Sequence, residues 1–277
     1  MTKKERMKGY EKSSSNYLVK KVPVIIRLDG RAFKTLTKDL HKPYDEVILS
    51  CMQDTMKYLC ENIQGCVFGY TQSDEITLVL TDYENLDSCA WFDYNAQKLA
   101  SVSASMATYA FIMSFIKSIC YFNDKDTSYA EILSSTIRKN ISFDARAFNV
   151  PKEDVINNII WRQQDCINNS IISIGRTIYS HDELVGKSQK NILHMLEDKY
   201  VYWEDYSNAI KYGVCCYKNG KKTEDGYLRR VFEDGSFVYK NNWVGKEKPK
   251  WIVDFINVPE FSENKGYLHH ILGDYVT

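Results

Sequence analysis

The stretch VIIRLDGRAF, residues 24–33, carries an apolar, β-branched run directly into an acid and a glycine. The run favours a buried strand, and the Asp29-Gly30 pair marks its end. A buried carboxylate without a partner is unfavourable, so Asp29 needs a partner if this end of the strand is buried. The stretch by itself allows three interpretations of Asp29: a solvated turn residue, an ion pair with Arg27 or Arg31, or a metal ligand.

Apolar spacing along the rest of the chain predicts both helices and strands. The predicted elements are a strand at 22–28, a helix at 44–62, a hairpin with apolar arms at 66–70 and 76–80, a long helix at 91–119, a strand at 141–148, a helix from Pro151 to near Gly175, a shorter helix at 181–196, and strands and loops at 213–257. This order is typical of an α+β fold with a largely antiparallel sheet.

The composition is that of an ordinary globular protein, with 277 residues of which 44% are hydrophobic and 26% are charged. No apolar run approaches the roughly 20 residues that span a bilayer, and residues 1–17 are charged and polar. We therefore expect a cytosolic (cytoplasmic) protein without membrane contacts. The eight cysteines and five histidines form no grouped set of zinc ligands, which favours reduced, mostly buried thiols.

Charge is unevenly distributed along the chain although the formal net charge is +0. Residues 1–21 hold seven Lys/Arg against two acids, and residues 209–250 hold ten against five. Residues 71–97 hold six acids and no Lys or Arg. An acidic centre between basic ends fits a cation-binding pocket beside a polyanion track, but it also fits solvated faces, which are the commoner meaning of such runs.

A second group of acids, Asp74-Glu75, lies at the bend of the predicted hairpin. If the hairpin neighbours the strand that ends at Asp29, these carboxylates meet at one edge of the sheet. Close like charges raise each other's pKa unless a cation compensates, and Mg²⁺ needs only one or two carboxylates besides waters and phosphates. Gly30 would let the backbone approach a phosphate or offer its carbonyl. The layout resembles a polymerase or cyclase palm with two metal ions, although polar acids at an ordinary turn give the same pattern.

Five sequence blocks resemble the tRNA-His guanylyltransferase family and its relatives that repair tRNA 5′ ends. The blocks are RLDGRAF (27–33), HKPYD (41–45), YTQSDE (70–75), FDAR (143–146) and WRQQD (161–165), and they occur in the family's order and spacing. The resemblance implies a palm-like fold, two Mg²⁺ ions, tRNA and nucleoside triphosphates as substrates, and a homotetramer. With a soft boundary near residue 140, we expect a palm-like catalytic domain at 1–140 and a C-terminal α+β domain at 141–277 that completes the sheet and the tRNA-binding surface.

The resemblance also assigns roles to individual residues. Asp29, Asp74 and the Gly30 carbonyl would hold the metal ions, with Glu75 as a supporting catalytic acid. The alternative for Glu75 is a solvated turn residue, and for Lys42 and Lys98 it is a solvated surface role. Asn169 has a capping or surface role as its alternative, and one of Lys187 and Lys190 is favoured over both. The residues expected at the nucleotide are Asp29, Gly30, Arg31, Ala32, Phe33, Lys34, Ser73 and Asp74, and those expected at phosphate or tRNA are Arg27, Lys42, Lys98, Asn169, Lys187 and Lys190.

Other polar and aromatic residues have structural interpretations. Asp144 and Arg146 are expected to form an ion pair, with a tRNA contact as the alternative. The polar face expected on the helix of the fifth block consists of Arg162, Gln163 and Asp165. The C-terminal aromatics that could stack on RNA, although core packing is their commoner use, are Trp243, Trp251 and Tyr267.

The sequence departs from the histidine-specific guanylyltransferases at three places. It has Ile167 where they have the histidine of C-H-I-N-N, Tyr94-Asn95 where they have paired arginines, and Lys34 at the histidine position of the nucleotide loop. These changes resemble the repair branch, which adds templated nucleotides to 5′-truncated tRNAs.

The leading hypothesis is therefore a Mg²⁺-dependent nucleotidyltransferase that adds GTP or another nucleotide, 3′ to 5′, to a tRNA 5′ end activated with ATP. The alternatives are a strict tRNA-His guanylyltransferase, a nucleotide cyclase or palm polymerase with the same metal site, and a tRNA-binding module without catalysis.

Overall fold

The computed structural model describes residues 1–84, 87–219, 228–231, 237–240 and 250–276. The helices in this part of the chain are α1 Lys3–Ser13, α2 Phe33–Leu36, α3 Glu46–Asn62, α4 Ala96–Asn123, α5 Thr127–Ile137, α6 Lys152–Gly175, α7 His181–Leu184, α8 Gln189–Glu197, α9 Asn208–Lys211 and α10 Lys265–Val276. The strands are β1 Val24–Gly30, β2 Cys66–Gln72, β3 Glu75–Leu80, β4 Phe143–Asn149, β5 Val214–Asn219, β6 Leu228–Val231, β7 Phe237–Lys240 and β8 Lys250–Asp254.

Six strands form one antiparallel sheet in the order β4-β1-β3-β2-β5-β8, and β6 pairs with β7 in a separate two-stranded sheet. The predicted α+β fold with a mostly antiparallel sheet is confirmed. The apolar run at 24–28 forms β1, and the predicted hairpin forms β2 and β3. Strand β1 lies between β3 and β4, so the end of the first strand is next to the hairpin bend.

The two faces of β1 enter two different clusters of the core, because successive side chains of a strand point to opposite faces. Ile26 and Leu28 pack with residues of α3 and α4 on one face. Ile25 packs on the other face with apolar residues of α6 and α10. Asp29 is on the same face as Ile25, four residues further along, so the alternation directs it toward the α6 side of the sheet.

Two helix predictions need correction. The helix expected at 91–119 starts at Ala96, after a short 3₁₀ turn at Trp91–Tyr94, and continues to Asn123. The helix expected at 181–196 is interrupted: α7 ends at Leu184, Gly186 has φ +75°, and Ser188 caps the start of α8. Glycine adopts this left-handed conformation without a steric penalty, so the chain turns between the two helices.

Helix α4 is long and apolar enough to cross a membrane, judged by length and composition alone. This corrects the expectation that no apolar stretch comes near that length. One face of α4, with Leu99, Phe111 and Phe115, is fully buried in the core cluster that also contains Ile26. The helix thus supplies the packing surface for one face of the sheet, and the absence of membrane contacts stays a prediction.

The division into domains at residue 140 also stays a prediction. Strands from both sides of this position share one sheet, because β4 pairs with β1 and β5 pairs with β2. Much of the predicted strand-and-loop region at 213–257 lies outside the described residues.

Candidate active site

The ends of β1 and the β2–β3 hairpin meet at one end of the sheet. Asp29 is the register partner of Glu75, and the Gly30 N–H donates a hydrogen bond of 2.9 Å to the Asp74 carbonyl. Ser73 and Asp74 form the two-residue turn, with Ser73 at φ +50°. The expected meeting of these two chain segments is therefore present in the structure.

The two aspartates stand in an environment that disfavours their charged forms. Burial raises the pKa of Asp74 to about 6, and the negative charge of Asp29 adds to the shift. Burial also raises the pKa of Asp29, helped by the charge of Asp144 and opposed by Arg27 and other arginines. A cation bound between the carboxylates would reverse this, because opposite charge favours the ionised form.

These donors fit a magnesium ion that completes its shell with water and phosphate. Mg²⁺ binds through one or two carboxylates plus substrate oxygens rather than through an all-protein cage. The part of the chain that the structure describes holds no group of three or more His, Cys, Asp or Glu side chains able to bind a metal. A magnesium ion at Asp29 and Asp74 would therefore take its other ligands from water and substrate phosphate.

Glu75 is held by an arginine rather than by the aspartates. The Arg162 Nε and Nη2 groups donate to its two carboxylate oxygens at 2.6 Å and 2.7 Å. The third nitrogen of Arg162, Nη1, contacts Asp165 at 2.8 Å. Burial raises the pKa of Glu75, and this bidentate contact opposes the shift. Both oxygens of Glu75 are thus engaged, which makes it a residue that positions the hairpin.

The prediction of a polar helix face formed by Arg162, Gln163 and Asp165 needs correction. Arg162 and Gln163 are buried, and only Asp165 is substantially exposed. The Gln163 Oε1 accepts from the Phe261 N–H at 2.6 Å, and its Nε2 donates to the Pro259 carbonyl at 2.8 Å. These side chains attach α6 to the sheet and to the C-terminal segment.

The loop at 29–34 combines buried packing with an exposed basic surface. The Phe33 ring packs between Phe111 and Phe143, with centroids 5.2 Å apart in each pair, so only the Phe33 backbone remains for a nucleotide. A Cβ on Gly30 would lie 2.5 Å from this ring, which gives the glycine a packing reason of its own. The residues of the loop that lie exposed are Arg31, Ala32 and Lys34, with Ala32 in the left-handed region at φ +56°.

Two further arginines surround Asp29. Arg27 is half-buried, and its Nε atom is buried without a hydrogen-bond partner among the described residues. Arg146 is exposed and lies 3.6 Å from Asp144, which matches the expected ion pair. A guanidinium group near these carboxylates is suited to bind a phosphate oxygen through its terminal nitrogens.

Two of the predicted phosphate or tRNA contacts, and one predicted nucleotide contact, lie on the polypeptide segments next to the acids. Lys42 is exposed, and its Nζ donates to the Thr37 carbonyl at 2.7 Å, next to α2. Asn169 is exposed on α6, seven residues after Arg162, or about 10 Å along the helix. Ser73 is exposed at the turn and hydrogen-bonds to Asp74.

The remaining predicted lysines are not brought to the acids. Lys98 is exposed near the start of α4, ten residues before Thr108, whose hydroxyl accepts from the N–H of Phe143 beside Gly30. The helix rise places Lys98 about 15 Å away along α4. Lys187 is exposed between α7 and α8, and Lys190 is exposed in the first turn of α8. Both helices pack against Gly175, which is about 20 Å along α6 from Arg162.

The partnership of Glu75 and Arg162 was missed at the sequence level, although a signal for it exists. Glu75 directly precedes the apolar run ITLVL, so it begins a buried strand and needs a partner in the same way as Asp29. The C-terminal aromatics follow the packing interpretation where they are described. Tyr267 stacks on Phe261 with centroids 5.8 Å apart, and Trp251 packs against the core, whereas Trp243 lies outside the described residues.

Comparison with known proteins gives matches to one family, over different shares of the chain. The family described as Thg1, tRNAHis guanylyltransferase, matches residues 4–151. The structure is similar to a bacterial tRNA(His) guanylyltransferase (Thg1)-like protein in complex with ATP, with 32% identity, a TM-score of 0.76, and coverage of 98% of this chain and 99% of the other. A bacterial protein of the same description in complex with GTP matches with 29% identity, a TM-score of 0.68 and the same coverage. A probable tRNA(His) guanylyltransferase of Dictyostelium discoideum is 27% identical over 212 residues, which is 72% of this chain and 75% of that protein.

Proposed function

Because the chain belongs to the Thg1 family of tRNAHis guanylyltransferases, and is therefore a tRNA guanylyltransferase-like nucleotidyltransferase, we propose that it adds nucleotides to activated tRNA 5′ ends in the 3′-to-5′ direction. The observation that carries this proposal is the pair of half-buried aspartates, Asp29 and Asp74, at the end of the sheet. Two carboxylates with raised pKa values beside an exposed basic loop are suited to hold a metal ion and a triphosphate.

Each residue of the site has a distinct task in this proposal. Asp29, Asp74 and the Gly30 carbonyl hold magnesium, two ions in all. The exposed loop at 29–34 binds the triphosphate through its backbone and through Arg31 and Lys34. Arg27 binds a phosphate oxygen through the terminal nitrogens of its guanidinium group. Bound magnesium would lower the pKa of the attacking hydroxyl and take up charge on the departing phosphate.

The reaction proceeds in two phosphoryl-transfer steps. A 5′-monophosphate of tRNA attacks the α-phosphorus of ATP, pyrophosphate leaves, and the tRNA carries an adenylylated 5′ end. The 3′-hydroxyl oxygen of an incoming GTP or other nucleotide then attacks the 5′ phosphorus of the tRNA, AMP leaves, and the hydroxyl proton passes to solvent. ATP and GTP are the nucleotides bound by the two similar bacterial proteins, in line with both steps. No side-chain nucleophile is required, so the residues of the site act by holding the reactants in the orientation for attack.

The natural substrate in this proposal is a 5′-truncated tRNA. Histidine-specific enzymes carry histidine or arginine at the positions of Ile167, Lys34 and Tyr94-Asn95. The side chains expected to select tRNA-His are therefore replaced in this chain. We expect the protein, given nucleotides and Mg²⁺, to extend 5′-truncated tRNAs and to leave full-length tRNA-His unchanged, as seen by gel analysis of labelled tRNA. Extension of full-length tRNA-His alone would favour the strict guanylyltransferase. Binding of tRNA that survives EDTA without any extension would favour a module without catalysis.

We further propose that the active assembly is a homotetramer. Exposed apolar side chains on α4, among them Tyr109, Met113 and Ile116, provide surface for contacts between copies. Lys98 lies about 15 Å along α4 from the acids of its own chain.

Magnesium should stabilise the folded protein through the aspartate pair. Between pH 3.8 and about 6 the folded state holds the Asp74 proton more tightly than the unfolded state, so stability falls as pH rises through this window. We expect Mg²⁺ to restore stability at pH 7.5, by about 2.7 kcal/mol at a hundred times its dissociation constant. Thermal unfolding with and without EDTA measures this effect.

The controls for this measurement are two single substitutions. Asp74→Asn should remove the Mg²⁺ response, and Glu153→Gln, which neutralises an exposed acid in the first turn of α6, should keep it. An equal Mg²⁺ response in all three proteins would show that the ion binds elsewhere.

A further inference from the structure

The α6 side of the active site carries one large aromatic ring that the proposed reaction does not use. Trp161 is 48% exposed, although the apolar residues before it on α6, Ile159 and Ile160, are buried in the core. A half-exposed tryptophan beside a binding site presents a π-face on which a base can stack.

The ring is held in a fixed position by its neighbour. The Arg162 guanidinium carbon lies 4.4 Å from the Trp161 ring centroid. Arg162 is itself immobilised, because its three nitrogens contact the two oxygens of Glu75 and one oxygen of Asp165. One face of the indole therefore packs on a planar cation whose own position is set by the hairpin of the active site.

The helical neighbours of Trp161 leave the rest of the ring open to solvent. Positions three and four residues away in a helix share a face, and here they carry polar side chains. The exposed or half-exposed residues at these positions are Asn157, Asn158, Gln164 and Asp165. A ring with one face on a guanidinium and the other toward solvent matches the exposed fraction of about half.

The chain of contacts also locates the ring relative to the acids. Trp161 packs on Arg162, Arg162 binds Glu75, and Glu75 is both the register partner of Asp29 and the residue after Asp74. The indole thus lies at the same end of the sheet as the proposed metal ligands.

We propose that Trp161 is a stacking platform for a nucleobase at the reacting end of the substrate, sandwiched between that base and the Arg162 guanidinium. This inference rests on the proposed function for the identity of the ligand. Every base offers a π-face, so stacking orients the nucleotide without selecting its sequence, as a templated addition of different nucleotides requires. The base belongs either to the incoming nucleotide or to the tRNA end, and separate titrations with GTP and with tRNA distinguish the two.

Intrinsic tryptophan fluorescence tests the stacking directly. The wild-type protein and Trp161→Phe are titrated separately with GTP and with a 5′-truncated tRNA in the presence of Mg²⁺. We expect quenching in the wild type that Trp161→Phe lacks. Quenching by GTP alone assigns the base to the incoming nucleotide, and quenching that needs tRNA assigns it to the tRNA end. Equal quenching of both proteins by both ligands would overturn the proposal.

Kinetics separates stacking from a merely structural role. Trp161→Ala should lower kcat/KM by about 5- to 150-fold, the range for loss of one base–aromatic stack, mainly through KM, and Trp161→Phe should recover most of it. Tyr200→Ala is the matched control, since Tyr200 is 86% exposed and lies beyond the end of α8. The proposal would be overturned if kcat/KM of Trp161→Ala fell only in proportion to the folded fraction, with KM unchanged. It would also be overturned if Trp161→Phe lost as much kcat/KM as Trp161→Ala.

Failure of the proposed function leaves a different pattern. Trp161-specific quenching without nucleotide addition would contradict the proposed reaction and support the stacking site. Normal addition without Trp161-specific quenching would support the reaction and contradict the stacking site.

Discussion

Replacing Asp74 with asparagine is expected to abolish nucleotide addition and, in the same protein, to raise the free energy of unfolding. Loss of a metal-binding carboxylate removes several kcal/mol of transition-state stabilisation, which corresponds to a rate about 1,000-fold lower or worse. The folded state is meanwhile relieved of a carboxylate whose pKa is raised from 3.8 to about 6 by burial and by the charge of Asp29. A shift of this size corresponds to about 3 kcal/mol at neutral pH. Screening by solvent around the half-buried carboxylate lowers this figure.

The opposite signs of the two effects make this prediction specific. A residue that only supports the fold loses stability and activity together, whereas a functional carboxylate held in an unfavourable site trades one for the other. Single-turnover extension of a 5′-truncated tRNA and chemical unfolding at pH 7.5 in EDTA measure the two quantities. Asp29→Asn should behave in the same direction, because burial and the charge of Asp144 raise its pKa as well. Near-normal addition by either variant would contradict the assignment of the metal ligands.

The arrangement of β1 and the hairpin could be predicted from sequence because both carry strong local signals. An apolar run ended by Asp29-Gly30 and two apolar arms around a polar bend each define a strand end, and chain order makes them neighbours in a small antiparallel sheet. The break between α7 and α8 also had a local signal, since Gly186 and the capping Ser188 stand between the helices. The error there came from following apolar periodicity past turn residues.

The parts of the site that could not be predicted depend on how helices lie against the sheet. Periodicity places Arg162 on a helix but does not say that its guanidinium turns inward to meet Glu75, 87 residues earlier in the chain. In the same way, the sequence cannot tell that α4 starts at the end of the sheet remote from Asp29, which separates Lys98 from the acids. Such contacts are set by tertiary packing, which overrides the local pattern.

The Glu75–Arg162 pair is expected to be the most sensitive single contact for the stability of the site. Arg162→Met keeps much of the side-chain volume but leaves the Glu75 carboxylate buried without its bidentate partner. Breaking a buried ion pair in this way costs about 3–5 kcal/mol, because the remaining charge has neither water nor a counter-ion. The loss in free energy of unfolding should be greatest at neutral pH and above, where Glu75 is charged. At pH values below the raised pKa of Glu75 it should be smaller, because protonation removes the charge.

A double-mutant cycle distinguishes the ion pair from the packing of the arginine stem. Glu75→Gln combined with Arg162→Met removes both charges, and it should be less destabilised than Arg162→Met alone, since no buried charge is left uncompensated. Chemical unfolding of the wild type, the two single variants and the double variant at pH 5 and pH 7.5 completes the cycle. Strictly additive losses, or a cost for Arg162→Met under about 1 kcal/mol at pH 7.5, would show that the contact contributes little. The same variants bear on the site itself, because Arg162 also supports the Trp161 ring, and its loss should weaken Trp161-specific quenching even where the protein remains folded.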